Sequence, residues 1–152
     1  MVDGNVSIDH FEFECQWTDF GFIDRQGEGH KLKLPVGLPK TPGVYQIVAN
    51  NVPVKLSQIY VGEGKDLSKR LRNYENAGYM PNENARTNRR VQGWIFNCIE
   101  SGYQVTISIC TSARINQPGK DSKVLQLADK HCRTLVESFV RASKGDLRFE
   151  NK

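Results

Sequence analysis

The sequence predicts an α/β (α+β) fold, a small three-stranded central sheet, antiparallel or mixed, flanked by helices and preceded by a β extension. Three observations carry that prediction. Two β-rich runs, Gly43–Ala49 and Gln58–Gly62, are separated by a few turn-forming residues, and so short a link allows only antiparallel pairing, since a parallel pair needs a crossover of about a dozen residues. A third run, Gln104–Cys110, alternates, with Val105, Ile107 and Ile109 on one side. Runs of helical period lie between and after these strands, the arrangement of a sheet with helices packed on it.

Size and composition narrow the class. A chain of 152 residues fits one domain, with 1–41 as an N-terminal extension and 42–152 as the core. Its hydrophobic and charged fractions, 38% and 25%, are ordinary for a globular protein. No apolar run approaches the roughly 20 residues of a membrane helix, so no membrane partner is expected. The first residues lack a basic lead and an apolar block, so no secretory signal is expected either. Cys15, Cys98, Cys110 and Cys132 are scattered without CxxC spacing, which predicts four reduced, buried thiols in a cytoplasmic protein. The three histidines are equally dispersed and give a zinc site little support.

Taken in order, His10–Trp17 alternates, with Phe11, Phe13, Cys15 and Trp17 on one side, and predicts an edge strand; Phe20 and Phe22 follow. Residues 25–31 read as a loop and Leu32–Leu34 as a short strand. Aromatics interleaved with Arg25, His30, Lys31 and Lys33 fit either stacking and phosphate contacts or a plain strand with a polar outer face, and the plain strand is preferred. In the hairpin, Asn50, Asn51 and Pro53 supply turn chemistry, Asn because it tolerates positive φ. Tyr45 shares its side of the first strand with Ile47 and Ala49; Tyr60 shares its side of the second with Gln58 and Gly62. Gly62-Glu63-Gly64 reads as a tight strand-to-helix turn where a backbone or ligand comes close. Asp66 then caps a helix in which Leu67, Leu71 and Tyr74 fall on one face and Arg70 beside it. Residues 75–88 form a long polar loop. A helix from near Arg89 carries Val91, Trp94, Ile95, Cys98 and Ile99 and ends at Gly102. The last helix is predicted over Asp121–Ala142, with Val124, Ala128, His131, Leu135 and Phe139 as its buried stripe and Leu127, Cys132 and Val136 beside it.

The net charge of +4 is mild, but its placement is uneven. Between Gly62 and Arg90 stand seven cations, Lys65, Lys69, Arg70, Arg72, Arg86, Arg89 and Arg90, against four carboxylates. That is either a solvated face or a local footprint for phosphate. Gly64-Lys65 does not belong to a nucleotide-triphosphate loop, because Ile59 stands where that loop needs glycine and Asp66 where it needs Ser or Thr.

Gly43-Val44-Tyr45 and Tyr60-Val61-Gly62, followed by Leu67, Arg70-Leu71 and Tyr74, resemble the GIY-YIG nuclease superfamily. Downstream, Leu135–Val140 resembles the family's helix carrying a metal-binding glutamate, here Glu137, and Asn151 resembles an asparagine that often follows it. The resemblance spans about 110 residues, from Pro42 onward. It implies a stand-alone, restriction-like DNA endonuclease, with Tyr45, Tyr60, Arg70, Tyr74 and Glu137 as catalytic residues. Glu137 would bind one Mg²⁺ or Mn²⁺, and Lys65, Lys69, Arg86, Arg89 and Arg90 would hold the backbone of double-stranded DNA.

The chemistry agrees with the residue types. Arg70 offers a permanently charged fork for a phosphate. A carboxylate is the hard oxygen ligand Mg²⁺ takes, usually alongside several waters. A phenol with a pKa near 10 is a poor base unless cations lower it; Tyr45 is assigned as the base or water-orienting group with Tyr60 in support, and the reverse assignment stays open. One departure stands out, since many family members carry lysine where this chain has Glu63. Lys65 would substitute for it, or Glu63 would alter metal binding and damp the activity. The second reading is therefore a nucleic-acid-binding module that keeps the fold without catalysis. A third is a protein-interaction domain with no nucleic-acid role. A monomer with one site would nick, so double-strand cutting would point to a homodimer.

Overall fold

The structure, a computed structural model, describes residues 12–27, 31–75 and 86–144. Phe11, His30, most of the loop before Asn88, and the tail with Asn151 lie outside the described residues. Strands β4 (Gly43–Asn51) and β5 (Leu56–Gly64) pair antiparallel without interruption from Gly43↔Gly64 to Asn51↔Leu56. Asn50 and Asn51 extend the strand rather than making the turn. The turn occupies 52–55, and its positive φ falls on Lys55, at 55°. Strand β6 (Gln104–Asn116) adds antiparallel to β4, and β1 (Glu12–Phe22) adds antiparallel to β6. The sheet order is β1-β6-β4-β5, so the three predicted core strands are contiguous and antiparallel, and the extension contributes an edge strand. Asp24–Arg25 (β2) and Leu32–Lys33 (β3) form a separate small hairpin.

Alternation along β4 sends Tyr45, Ile47 and Ala49 to one face and Val44 to the other, and each face has its own core. The first face is covered by α1 (Leu67–Arg72) and α2 (Arg86–Glu100), with Leu67, Leu71, Val91 and Ile95 fully buried. Ile23, Leu32, Leu34 and Leu38 of the extension complete that core. Asp66 caps α1 as expected, its carboxylate accepting from the Lys69 N–H at 3.0 Å. The helix ends at Arg72, and Tyr74 lies in the turn beyond it, bonded through its N–H to the Leu71 carbonyl at 3.0 Å. Its ring keeps the buried side predicted for it. At the end of α2, Gly102 has a φ of 87°, which only glycine adopts without strain.

The second face is covered by α3 (Lys130–Lys144), and here the sequence reading needs correction. Residues 123–125 are not helical; they form β7 (Lys123–Leu125), which pairs with Ala113–Ile115 of β6. The helix starts nine residues later than predicted. Its buried line is Arg133, Val136 and Val140, with Leu125 and Leu127 packed from the strand and turn before it. His131 and Ala128 are exposed, Leu135 and Val124 largely so, and Phe139 is half-buried, stacked on Phe13 of β1 at 3.7 Å. The predicted stripe had joined two segments that do not share a helical phase.

Of the interleaved cations of the extension, Arg25 is engaged within the fold, its guanidinium packing 4.7 Å over Phe96 and pairing with Glu100. The four cysteines are free thiols; Cys98 and Cys110 are buried as expected, whereas Cys15 and Cys132 are only half-buried, Cys15 on the edge strand β1. No helix among the described residues is long and apolar enough to cross a membrane.

Candidate active site

The hairpin register decides the centre of the site. Tyr45 stands directly opposite Gly62, and a Cβ at Gly62 would collide with the Tyr45 ring and hydroxyl. The missing side chain is what lets the ring lie across β5. Gly64 similarly admits the Cβ of Arg70, which a Cβ there would meet at 3.0 Å. These glycines are strand residues with negative φ rather than the tight turn expected of them, and close approach of side chains explains them. Gly43, at the other end of the pairing, would press a Cβ onto the Cys110 carbonyl at 2.5 Å.

Under that cover the Tyr45 and Tyr74 hydroxyls meet at 2.5 Å, both rings fully buried. Tyr60 tilts against Tyr45 with centroids 6.4 Å apart and against Trp94 at the same distance, and it keeps a small exposed edge, 8%. The Trp94 indole N–H donates to Gln58 at 2.7 Å and fixes that side. Arg70 lies 5.1 Å over the Tyr74 ring, a contact worth about 1 kcal/mol, and its Nη1 donates to Asn88 Oδ1 at 2.7 Å. Asn88 is buried on the first turn of α2.

The expected lowering of the Tyr45 phenol by cations does not hold: burial pushes it well above its ordinary pKa and outweighs Arg70, while Tyr60 and Glu137 add to the rise. Tyr74 is raised for the same first reason, with Tyr45 and Tyr60 adding and Arg70 opposing. Burial disfavours the Arg70 cation, yet Tyr45, Tyr74, Tyr60 and Glu63 outweigh it and hold its pKa above the usual value. The three phenols and the guanidinium thus form one electrostatic unit.

Glu137 comes from α3, on the other face of the sheet. Among the described residues β5 is the edge strand and no further strand separates that face from the tyrosines, and Glu137 is near enough to raise the pKa of Tyr45. Its side chain is 16% exposed and sits 3.8 Å from Arg141, whose Nη2 donates to the Val61 carbonyl at 2.9 Å. One turn earlier Arg133 donates from Nε to Glu63 at 2.9 Å and from Nη1 to the carbonyls of Leu127 and Ala128. The residue that departs from the family pattern is therefore engaged in a part-buried ion pair that ties β5 to the start of α3.

The predicted phosphate contacts divide into two groups. Lys65 and Lys69 line a groove of about 520 Å³ beside Arg70, together with Lys40 and Asn73. Arg86, Arg89 and Arg90 fall within the first five residues of α2, around Asn88, and no acidic residue stands in its first turn. Lys40, Asn88, Arg133 and Arg141 were not among the residues read from the sequence as functional. A basic residue just before the Gly43 motif was the one local signal for Lys40, and the other three act through contacts distant in the chain.

Comparison with protein-family models and with curated proteins returned no match. Among solved structures, the chain is similar to a glutamate-to-alanine mutant of EndoII from bacteriophage T4, with a TM-score of 0.55 and 12% identity. The likeness covers 86% of this chain and 88% of that one. At that identity it establishes the fold, a mixed α+β architecture with an antiparallel sheet flanked by helices.

Proposed function

We propose that the chain is a GIY-YIG-type, divalent-metal-dependent endonuclease that hydrolyses phosphodiester bonds of DNA, with a cytoplasmic site of action. The observation that carries this reading is the Tyr45–Tyr74–Tyr60–Arg70 unit, with Glu137 acting on it from the opposite helix. The fold likeness to EndoII supports a nuclease.

Arg70 binds the scissile phosphate. Its charge is permanent, its direction is set by Asn88, and it stabilises charge that grows on the phosphoryl oxygens in the transition state. Tyr60, which keeps an exposed edge, orients the attacking water or takes its proton, and Tyr45 supports it from beneath, the reverse of the first assignment. Because the Tyr45 hydroxyl is sealed beneath the hairpin and bonded to Tyr74, the two phenols hold or move that proton as a pair. Lys65, Lys69, Arg86, Arg89 and Arg90 hold the DNA backbone. Three cations at the start of α2 oppose the helix dipole, an arrangement a polyanion offsets.

The donor set fits one hard cation. No group of three or more His, Cys, Asp or Glu gathers among the described residues, so a resident Mg²⁺ or Mn²⁺ would take Glu137 and complete its shell from water and phosphate, as Mg²⁺ commonly does. When bound, that ion would polarise the phosphoryl group and reverse the sign of Glu137's effect on Tyr45.

The test is nicking of supercoiled plasmid with Mg²⁺ by the wild type, Arg70→Ala and Glu137→Ala. Nicking by the wild type, with a loss of about 100-fold or more in each variant, is expected. Equal cleavage by all three overturns the assigned site. Salt-sensitive DNA binding without metal-dependent turnover would instead favour the non-catalytic module.

A further inference from the structure

We propose that the groove walled by Lys40, Lys65 and Lys69 beside Arg70 is a second phosphate site, which holds the backbone phosphate next to the scissile one on the same DNA strand. This rests on the nuclease reading for what lies at Arg70, and it adds a residue from the N-terminal extension to the substrate surface.

The groove recognises an anion through side chains alone. The N–H groups at the start of α1 are already used: Leu67 donates to the Thr41 carbonyl at 3.1 Å, Ser68 to Pro39 at 2.8 Å, Lys69 to the Asp66 carboxylate and Arg70 to the Asp66 carbonyl. Asp66, the acidic residue of the lining, is held by the helix cap, and its one negative charge is outnumbered by Lys40, Lys65, Lys69 and Arg70. Among the described residues none of the three lysines has an ion-pair partner, although each is exposed.

Lys40 is not a loosely tethered surface lysine. The carbonyls on both sides of it, Pro39 and Thr41, are bonded to α1, and Leu38 just before them is 7% exposed in the core. That backbone fixes the root of the Lys40 side chain over the groove. Arg70 belongs to both places, packing on Tyr74 and lining the groove. A polyanion that sets one phosphate on the tyrosine side of Arg70 therefore meets the lysines with its neighbour. Asn73, an uncharged amide on the same wall, offers a donor without adding charge.

The experiment measures binding of a labelled DNA duplex in EDTA across a series of salt concentrations. Wild type is compared with Lys40→Gln, Lys65→Gln, Lys69→Gln, the triple variant, and Lys120→Gln on a distant exposed loop. The triple variant, which gives up one phosphate, lowers the slope of log K against log salt by about 0.9, each single variant lowers it by a part of that, and Lys120→Gln leaves it unchanged. In cleavage with Mg²⁺, the groove variants raise KM with kcat held. A neutral methylphosphonate at the phosphate next to the cut weakens wild-type binding about tenfold and the triple variant less than twofold. An unchanged slope in the triple variant, or equal sensitivity of both proteins to the methylphosphonate, overturns the groove site. If the slopes change as stated while the wild type never nicks plasmid, the groove stands and the nuclease reading fails.

Discussion

Replacing Gly62 with alanine tests the centre of the site without removing any charged or hydroxyl group. The new Cβ would meet three atoms of Tyr45, its Cε1 at 2.9 Å and its Cζ and hydroxyl nearer still. No flexible end yields there, because the ring is fully buried and its hydroxyl is bonded to Tyr74. Overpacking of this kind costs about 1–3 kcal/mol, and three simultaneous contacts put Gly62→Ala at the upper end. In a domain of this size that lowers Tm by about 6–12 °C. Thermal unfolding followed by circular dichroism reads the shift directly. The same substitution in a Tyr45→Leu background, where the colliding atoms are gone, should cost less by about 2 kcal/mol, which a double-mutant cycle isolates. A Gly62→Ala protein that melts within about 1 °C of wild type would refute the ring's position over β5, and the proposed cluster with it.

The remaining predictions concern the groups around that ring. Glu63→Lys, which restores the common family residue, sets a second cation against Arg133, whose side chain is 6% exposed, and should destabilise the fold by about 3 kcal/mol in thermal melts. Unchanged stability would mean the pair is incidental. Tyr45 and Tyr74 both have folded pKa values raised by burial, so the folded state keeps protons the unfolded chain loses above about pH 10. Their stabilisation is present below that pH and is lost above it at about 1.4 kcal/mol per pH unit for each group. Denaturant midpoints from pH 9 to 12 should fall more steeply for wild type than for Tyr74→Phe. Asn88→Leu removes the oxygen that aims Arg70, and kcat should fall about 100-fold with a smaller change in KM. A raised KM with kcat unchanged would mean that Asn88 serves binding alone.

Where the physics is local, the sequence was legible. The hairpin, β6 and α2 are long enough for their period to show, and the side on which Tyr45 and Tyr60 lie followed from alternation alone. Asp66 was readable as a cap because its acceptor serves an N–H three residues on. The boundary of α3 was not readable, since the three residues of β7 are too few to set a period and Val124, Ala128 and His131 happen to continue the helical spacing backwards. The roles of Glu63 and Asn88 were equally hidden: Glu63 meets Arg133 across 70 positions and Asn88 meets Arg70 across 18. Charge at Glu137 was visible, and its place against β5 was set by the docking of α3, which no local pattern records.

The bond from Arg141 to the Val61 carbonyl has an effect beyond the chemistry of the pocket. An outermost strand carries backbone acceptors that invite a strand from another molecule to dock alongside. A guanidinium seated on one of them occupies an attachment point such a strand would use. The arginine that neighbours Glu137 therefore also discourages this sheet from growing, through one contact, into an aggregate of like chains.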